Sequence, residues 1–436
     1  MRIGLVLEQF DPARGGREQW TWSFTQRLLE LGHEVHVAAR NCSSKALRLP
    51  ITYHPIQCDP SPITFAGAVK TVLEPLSLDI VHDMGMGWYC DVFHPHGGSM
   101  DSCTERKLLF LPAWLRGLKR MANRMLPRHR TFQTLMQRQY ADHGQIVLAL
   151  SRASATDFRR FHGVAPERIR IVYNGVDTER FSPQQCRSHR ETMRLRLGLS
   201  ADTLMVLIVA HNFRLKGVAT LLRAMRRLQA IGREVRMVIV GGKHVDSWRR
   251  YVTRLGLSGQ VTFAGRVDDP LPYYAAADCY IHPTYYDPCS LVVLEAAACG
   301  LPLITSRYNG ASEMFRDGED VLLVNDPADD AELAGAMRIL LDDSTRQRLG
   351  EAARSTILQH SFHRNVNQIL KIYQEILDRR GGLPHGYSVL SARIHSSCGT
   401  SAIAAKTGGT PAQVVSAQAL ERLSHEPTDH ELGVLP

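Results

Sequence analysis

The stretch from His282 to Leu301, His-Pro-Thr-Tyr-Tyr-Asp-Pro-Cys-Ser-Leu-Val-Val-Leu-Glu-Ala-Ala-Ala-Cys-Gly-Leu, decides the fold of this chain. Its apolar run Leu291 to Ala298 reads as a buried helix that stops at Gly300. A start near Ser290 puts Asp287 just ahead of the helix and Glu295 two turns into it. Free backbone N–H groups at such a start, here Ser290, Leu291 and Val292, favour phosphate, and carboxylates beside them can bind sugar hydroxyls. An anionic, polyhydroxylated ligand suits that arrangement. A plainer reading stands next to it, in which Asp287 caps the helix and Glu295 faces solvent.

Outward from this stretch the chain repeats strand, loop and helix. Ile3 to Leu7 suits a buried parallel strand, followed by the loop Arg14-Gly15-Gly16-Arg17, a helix with Trp20, Phe24, Leu28 and Leu31 on one stripe, and a strand over Glu34 to Ala39. The glycine pair lets backbone approach a ligand closely, but it is not the G-x-G-x-x-G dinucleotide fingerprint. Asp79 to His82 and Val92-Phe93 read as further strands, the second running into His94-Pro95-His96-Gly97-Gly98. A histidine at the carboxyl end of such a strand stands where open α/β sheets bind ligands. A His-x-His metal pair is the other reading of His94 and His96, with no further ligands at metal spacing to complete it. Strands over 146–150 and from Ile169 follow, and the hydrophilic Gln184 to Met193 reads as a linker.

The pattern then restarts. Leu204 to Val209 leads into a loop with Arg214 and Lys216 before Gly217, two cations where a pyrophosphate can rest. Strands over Val235 to Val240, Val261 to Val267 (carrying Arg266), Pro302 to Thr305 and Val321 to Val324 follow, with helices over 328–341 and 344–359. Phe362, Val366, Ile369, Tyr373, Ile376 and Leu377 make a last amphipathic helix, and the Gly-, Ser-, Thr-, Pro- and His-rich 381–436 reads as a mostly disordered tail in which only Ala412 to Leu423 looks helical. The expected organisation is α/β: a Rossmann-like domain over 1–185, a second over 186–360, and a helix over 361–380.

Composition narrows the function. The 436 residues, 44% hydrophobic, suffice for two cores. No run of 18 apolar residues occurs, and the start turns acidic before a secretory core can form, so neither a membrane span nor a cleaved signal is expected. Nine cysteines without a Cys-x-x-Cys pair suggest reduced thiols in a cytoplasm. Of the net charge of +9, residues 105–130 supply +7, which argues against a general nucleic-acid surface. Within that patch Trp114, Leu118, Met121 and Met125 fall on one side of a helix, and Arg116, Lys119, Arg120 and Arg124 on the other. Such a helix suits an anionic membrane interface, and also an ordinary helix packed with a solvated basic face.

These motifs together resemble glycosyltransferase family 4, retaining enzymes with two Rossmann-like domains facing a cleft (the GT-B fold), in which two acidic residues flank seven others. The resemblance covers about 1–380 and is strongest over 204–325. It implies that Asp287 contacts the donor sugar, Glu295 the nucleotide ribose, Lys216 and Arg214 the diphosphate, and His96 the transferred sugar. It also places Gly15 and Gly16 near the phosphates, the nucleotide base along 261–267, largely through backbone, with Arg266 of that segment among the donor-binding residues, and the last helix back against the first domain. No metal or cofactor is implied. Asp287 stands where Glu is usual and Ser290 where Gly is common, which bears on sugar selectivity.

Within the family the chain looks most like enzymes that transfer glucose from UDP-glucose to a heptose of the lipopolysaccharide core at the cytoplasmic face of the inner membrane, and these carry a basic insertion at the place of 104–130. The expected partners are thus a nucleoside diphosphate sugar, a glycolipid acceptor and an anionic membrane surface. Other donors (GDP-mannose or UDP-GlcNAc), a glycogen- or sucrose-type transferase, a sugar epimerase and a non-catalytic anion- or membrane-binding scaffold are the alternatives.

Overall fold

Two parallel β-sheets organise the protein. The computed structural model describes residues 1–125, 127–229, 234–242 and 245–381, with the side chains of 124–129 outside it. The first sheet contains β1 (Arg2–Val6), β2 (Glu34–Ala39), β3 (Thr52–Pro55), β4 (Ile80–Asp83), β5 (Val92–Phe93), β6 (Ile146–Ala149) and β7 (Ile169–Ile171). Its order is β3-β2-β1-β4-β5-β6-β7. The second contains β8 (Leu204–Val209), β9 (Val235–Val240), β10 (Val261–Gly265), β11 (Cys279–His282), β12 (Leu303–Ser306) and β13 (Leu322–Val324), in the order β10-β9-β8-β11-β12-β13. Each is a doubly wound sheet whose order reverses beside its first strand, between β1 and β4 and between β8 and β11. Register is set there by Ile3 opposite Ile80 and Val206 opposite Cys279.

Both faces of each sheet are covered, which is why the central strands are apolar throughout. Along β1, Ile3 and Leu5 pack with Trp20, Phe24 and Leu28 of the Gly16–Glu30 helix, while Val6 turns to Phe65 and Val69 of the Pro62–Leu73 helix on the other face. Along β8, Met205 and Leu207 meet Val293 and Ala297 of the Leu291–Ala298 helix, and Val206 and Ile208 meet Leu221 and Met225 of the Val218–Leu228 helix. The last helix, Phe362–Arg380, sends Val366, Ile369, Tyr373 and Ile376 into the core of the first sheet.

Two expectations need revision. Gln184 to Met193 is no open linker but part of a helix, Pro183–Arg196, started by the Ser182 side chain and by proline at a position where its missing N–H is harmless. Its polar character has a structural use. Arg194 donates to the carbonyls of Ser200, Thr203 and Ala276, and Arg190 reaches Asp278 at 2.5 Å. Leu31, placed on the buried stripe, lies beyond the end of the first helix and is 40% exposed. The expected tail falls, from 382 onward, outside the described residues.

Candidate functional site

Loops at the carboxyl ends of the two sheets meet along one seam, which is where doubly wound folds hold ligands. From the first sheet come the Gly15-Gly16 turn and the segment after β5. From the second come the loop after β8 and the turn between β11 and the Leu291–Ala298 helix. The approach is close: a Cβ on Gly16 would lie 3.3 Å from Leu291 Cδ1, and one on Gly98 2.2 Å from the Tyr286 hydroxyl.

The centre of the second sheet's contribution is an ion pair. Lys216 Nζ lies 2.6 Å from Asp287 Oδ2 and 3.3 Å from the Tyr286 carbonyl. The loop that brings Lys216 there is fixed by Gly217, whose backbone is left-handed at φ 74° and whose Cβ would lie 2.1 Å from the Pro283 oxygen. His282 Nε2 approaches the same carboxylate at 3.6 Å from the end of β11. Burial pushes the Asp287 carboxyl up, but the Lys216 ammonium and His282 outweigh it and hold Asp287 well below the usual carboxylate range. Asp287 is therefore an anion at neutral pH, its charge already matched.

The helix behind this pair begins as the sequence suggests. Leu291–Ala298 has no capping side chain at its start, which leaves the N–H groups of Leu291 and Val292 directed at the seam. The Ser290 N–H is taken: it donates to Asn309 Oδ1 at 3.2 Å, and the Ser290 hydroxyl is buried without a partner. Glu295 accepts a hydrogen bond from the Tyr274 hydroxyl at 2.8 Å, and burial raises its carboxyl. Lys216 and Asp287 are thus brought into contact, with Leu291, Val292 and Glu295 on the adjoining helix.

Arg214 and Arg266 are placed differently. The Arg214 guanidinium lies over the Phe110 ring, 4.9 Å from its centroid, and leans on the Phe110 carbonyl. Arg266 donates to the Ala13 carbonyl, spanning from the second sheet to the glycine loop of the first. Gly15 is the N-cap of the Gly16–Glu30 helix.

His96 sits against Trp20, with ring centroids 4.7 Å apart, and against His94 at 4.0 Å. Burial, His94 and Arg17 together lower its pKa well below the ordinary histidine value, so the ring is neutral. His94 is also pushed down, to about 3, by burial. Among the described residues no group of three or more His, Cys, Asp or Glu side chains is arranged to hold a metal ion.

Several residues around the site escaped the sequence reading. His282 opens the stretch first quoted, yet its neighbour across the turn is visible only in three dimensions. Glu313 spans the seam: it accepts the backbone N–H of Arg152 at 2.7 Å and of Ala153 at 2.8 Å, and the Tyr173 hydroxyl at 2.9 Å. It thereby caps, from the second sheet's side, a helix of the first, Arg152–His162. Asn174 adds a bond across the same seam, to the Cys289 carbonyl at 2.7 Å. Partners more than a hundred residues apart leave no local signal.

The basic segment forms the helix Ala113–Met125, oriented opposite to an ordinary packed helix. Trp114, Leu118 and Met121 are 79%, 58% and 57% exposed. The basic side does the anchoring: Arg116 donates to the Leu111 carbonyl at 2.9 Å, and Arg120 grips Glu105 through two bonds at 2.8 and 2.6 Å. Lys119 is half-buried on the same helix, and the side chain of Arg124 lies outside the described residues. No described helix is long and apolar enough to cross a membrane.

Residues 14–180 match the family described as Glycosyltransferase Family 4, and residues 189–356 match Glycosyl transferases group 1. A D-inositol 3-phosphate glycosyltransferase of Acidothermus cellulolyticus is 34% identical over 231 residues, 50% of each chain. The lipopolysaccharide core biosynthesis glycosyltransferase LpsE of Rhizobium meliloti is 34% identical over 166 residues, 38% of this chain and 48% of its own. The chain spans about half the length of these curated relatives. Among solved structures, WaaG, a glycosyltransferase involved in lipopolysaccharide biosynthesis, superposes with a TM-score of 0.71 at 20% identity, over 87% of this chain and 100% of its own. Anabaena Alr3699/HepE in complex with UDP and glucose gives 0.64 at 21%, over 87% and 99%. These likenesses establish the two-sheet GT-B fold.

Proposed function

We propose, for a chain that belongs to the two-domain glycosyltransferases of the family 4 and group 1 type, that it moves a hexose, glucose above others, from a nucleoside diphosphate sugar to a membrane-associated glycolipid such as a lipopolysaccharide core heptose. The observation that carries this is the Lys216–Asp287 pair at the open start of the Leu291–Ala298 helix. A cation and two free N–H groups form a cradle for a diphosphate, and the carboxylates a place for hydroxyls. In this mechanism Lys216 and the helix start stabilise the charge that builds on the leaving diphosphate as the anomeric bond breaks. Asp287 turns from Lys216 toward the sugar hydroxyls as the diphosphate takes the cation, and Glu295 holds the ribose.

His96, neutral, donates or accepts a hydrogen bond at the sugar without adding charge beside an oxocarbenium-like centre. The acceptor hydroxyl attacks from the face the diphosphate leaves, giving retention, and the departing phosphate takes its proton. Arg214 joins the diphosphate only by leaving Phe110, and Arg266 lines the base side. No step calls for a metal. UDP-glucose is the favoured donor, and HepE, crystallised with UDP-glucose, is a structural neighbour in keeping with it. LpsE and WaaG, named for lipopolysaccharide synthesis, favour a glycolipid acceptor. The relatives named D-inositol 3-phosphate glycosyltransferase favour a second reading, a soluble phosphorylated polyol as acceptor.

Release of nucleoside diphosphate from a panel of UDP- and GDP-sugars, with a heptose-terminated lipid, with inositol phosphate or with neither, separates these. Lipid-dependent UDP release from UDP-glucose is the expected result. Release only with inositol phosphate would move the acceptor to the second reading, and intact donor binding without release under any condition would leave a scaffold.

The exposed stripe of the Ala113–Met125 helix supports a membrane-facing acceptor side, on the inner face of the plasma membrane. Burying a side chain such as Leu or Met contributes about 1.5–3 kcal/mol, against about 1 kcal/mol for a basic residue near anionic lipid. Arg120 is already neutralised by Glu105, so the apolar stripe should dominate. Replacing Trp114, Leu118 and Met121 together by serine is expected to weaken binding to phosphatidylethanolamine–phosphatidylglycerol vesicles by roughly a hundredfold or more. Lys119→Gln should cost only a fewfold. Unchanged sedimentation of the triple variant with vesicles would remove the helix from the membrane.

A further inference from the structure

Behind His96 runs a row of buried polar side chains that the reaction above leaves unused. Tyr373, on the helix that returns to the first sheet, places its hydroxyl 2.6 Å from His82 Nδ1. His82, at the end of β4, has its Nε2 3.2 Å from His94 Nδ1. His94 lies 4.0 Å, centroid to centroid, from His96, and Trp20 meets both rings, at 5.2 Å and 4.7 Å. Tyr373, His82 and His94 are all fully buried.

Counting protons gives the row a direction. Burial keeps His82 and His94 neutral, so each ring carries a single N–H. Were His82 Nδ1–H to donate to Tyr373, the phenol O–H would be left buried and unmatched, and His94 Nε2 would become a bare acceptor. With the Tyr373 O–H donating to His82 Nδ1 instead, His82 Nε2–H donates to His94 Nδ1. Only the His94 Nε2 atom, buried without a partner, is then left over, and it carries the hydrogen. Each buried group left unmatched costs about 1–3 kcal/mol, so the arrangement with fewer of them wins.

We propose that Tyr373 and His82 are positioning residues for the sugar-side histidine: their relay locks His94 as the Nε2–H tautomer and fixes the ring that braces His96 from behind. The role rests on His96 facing the transferred sugar, as proposed above. The relay also ties that side of the site to the returning helix, whose N-cap Ser361 is bridged to Val176. Replacing Tyr373 by phenylalanine keeps the buried ring and removes the hydroxyl that sets the direction.

The full-length chain with isotope-labelled histidine, compared with Tyr373→Phe by imidazole nitrogen NMR, tests this. Wild type should show His82 and His94 as Nε2–H tautomers. In the variant both directions of the row leave two buried groups unmatched, so His82 and His94 should become mixtures of the Nε2–H and Nδ1–H forms, and kcat with UDP-glucose should fall about tenfold while KM stays within about twofold. Unchanged tautomers would overturn the relay. Shifted tautomers with an unchanged kcat, or a lowered melting temperature with an unchanged kcat, would overturn its positioning role. A wild type with no turnover would count against the transferase reading instead, and the tautomers would still decide the relay.

Discussion

Replacing Lys216 by alanine is expected to lower kcat about a thousandfold, about 4 kcal/mol of barrier, the scale of losing a preorganised group at a developing charge. Two losses act together. The leaving diphosphate is deprived of its nearest cation, and Asp287, 13% exposed at its side chain, keeps its burial without the ammonium at 2.6 Å. The sign of the accompanying pH effect follows. In the wild type the Asp287 pKa is depressed, so the pair stabilises the fold at any pH above the ordinary aspartate value and is lost only as pH falls through the depressed one. Without Lys216 the burial that raises the carboxyl is less opposed. The acid limb of activity and of stability should therefore move to higher pH. Near-normal turnover in Lys216→Ala would sink the diphosphate assignment, and an unmoved acid limb would sink the account of Asp287.

The second large effect is expected at Gly310. Its N–H donates to the Asp287 carbonyl at 2.8 Å, and a Cβ there would lie 1.8 Å from the Pro288 oxygen and 2.6 Å from Ser151 across the seam. Backbone on one side and the opposite lobe on the other leave no soft neighbour to yield. Gly310→Ala should destabilise the chain by about 3 kcal/mol, read from denaturant midpoints, and should cost turnover about tenfold by displacing the Asp287 turn. Gly335→Ala is the control: its Cβ would meet nothing within 4 Å inside the Asp330–Ile339 helix, so a gain of about 0.5–1 kcal/mol is expected. Equal behaviour of the two variants would refute the close approach.

Much of the architecture was legible because it is written in local pattern. The apolar runs of β8 and β9 and the helix over 291–298 have the bounds the sequence predicts, since buried parallel strands and a glycine-stopped apolar helix carry their signals within a few residues. What stayed hidden depends on pairs distant in the chain. The helix over Pro183–Arg196 reads as polar linker until Arg190 and Arg194 find Asp278. The amphipathic pattern of 113–125 gives two faces but not which of them points outward. In the structure Trp114, Leu118 and Met121 form the exposed side, and Arg120 pairs with Glu105 at the surface. For the site, spacing identified Lys216, Asp287 and Glu295 as candidates, while Trp20, His82 and Glu313 became candidates only through their neighbours.

The returning helix has one more consequence, for how the molecule is made. Val366, Ile369, Tyr373 and Ile376 belong to the same core as Ile3 and Leu5, although the whole of the second sheet lies between them in sequence. The strands of the second sheet are contiguous over 204–324, and the helices that complete its core end by residue 357. The first, although translated earlier, waits with an unfinished apolar face until the chain has passed residue 376. Vectorial synthesis thus favours completion of the later lobe before the earlier one, and a cut between the two sheets would release an amino-terminal half without the wall of its own interior.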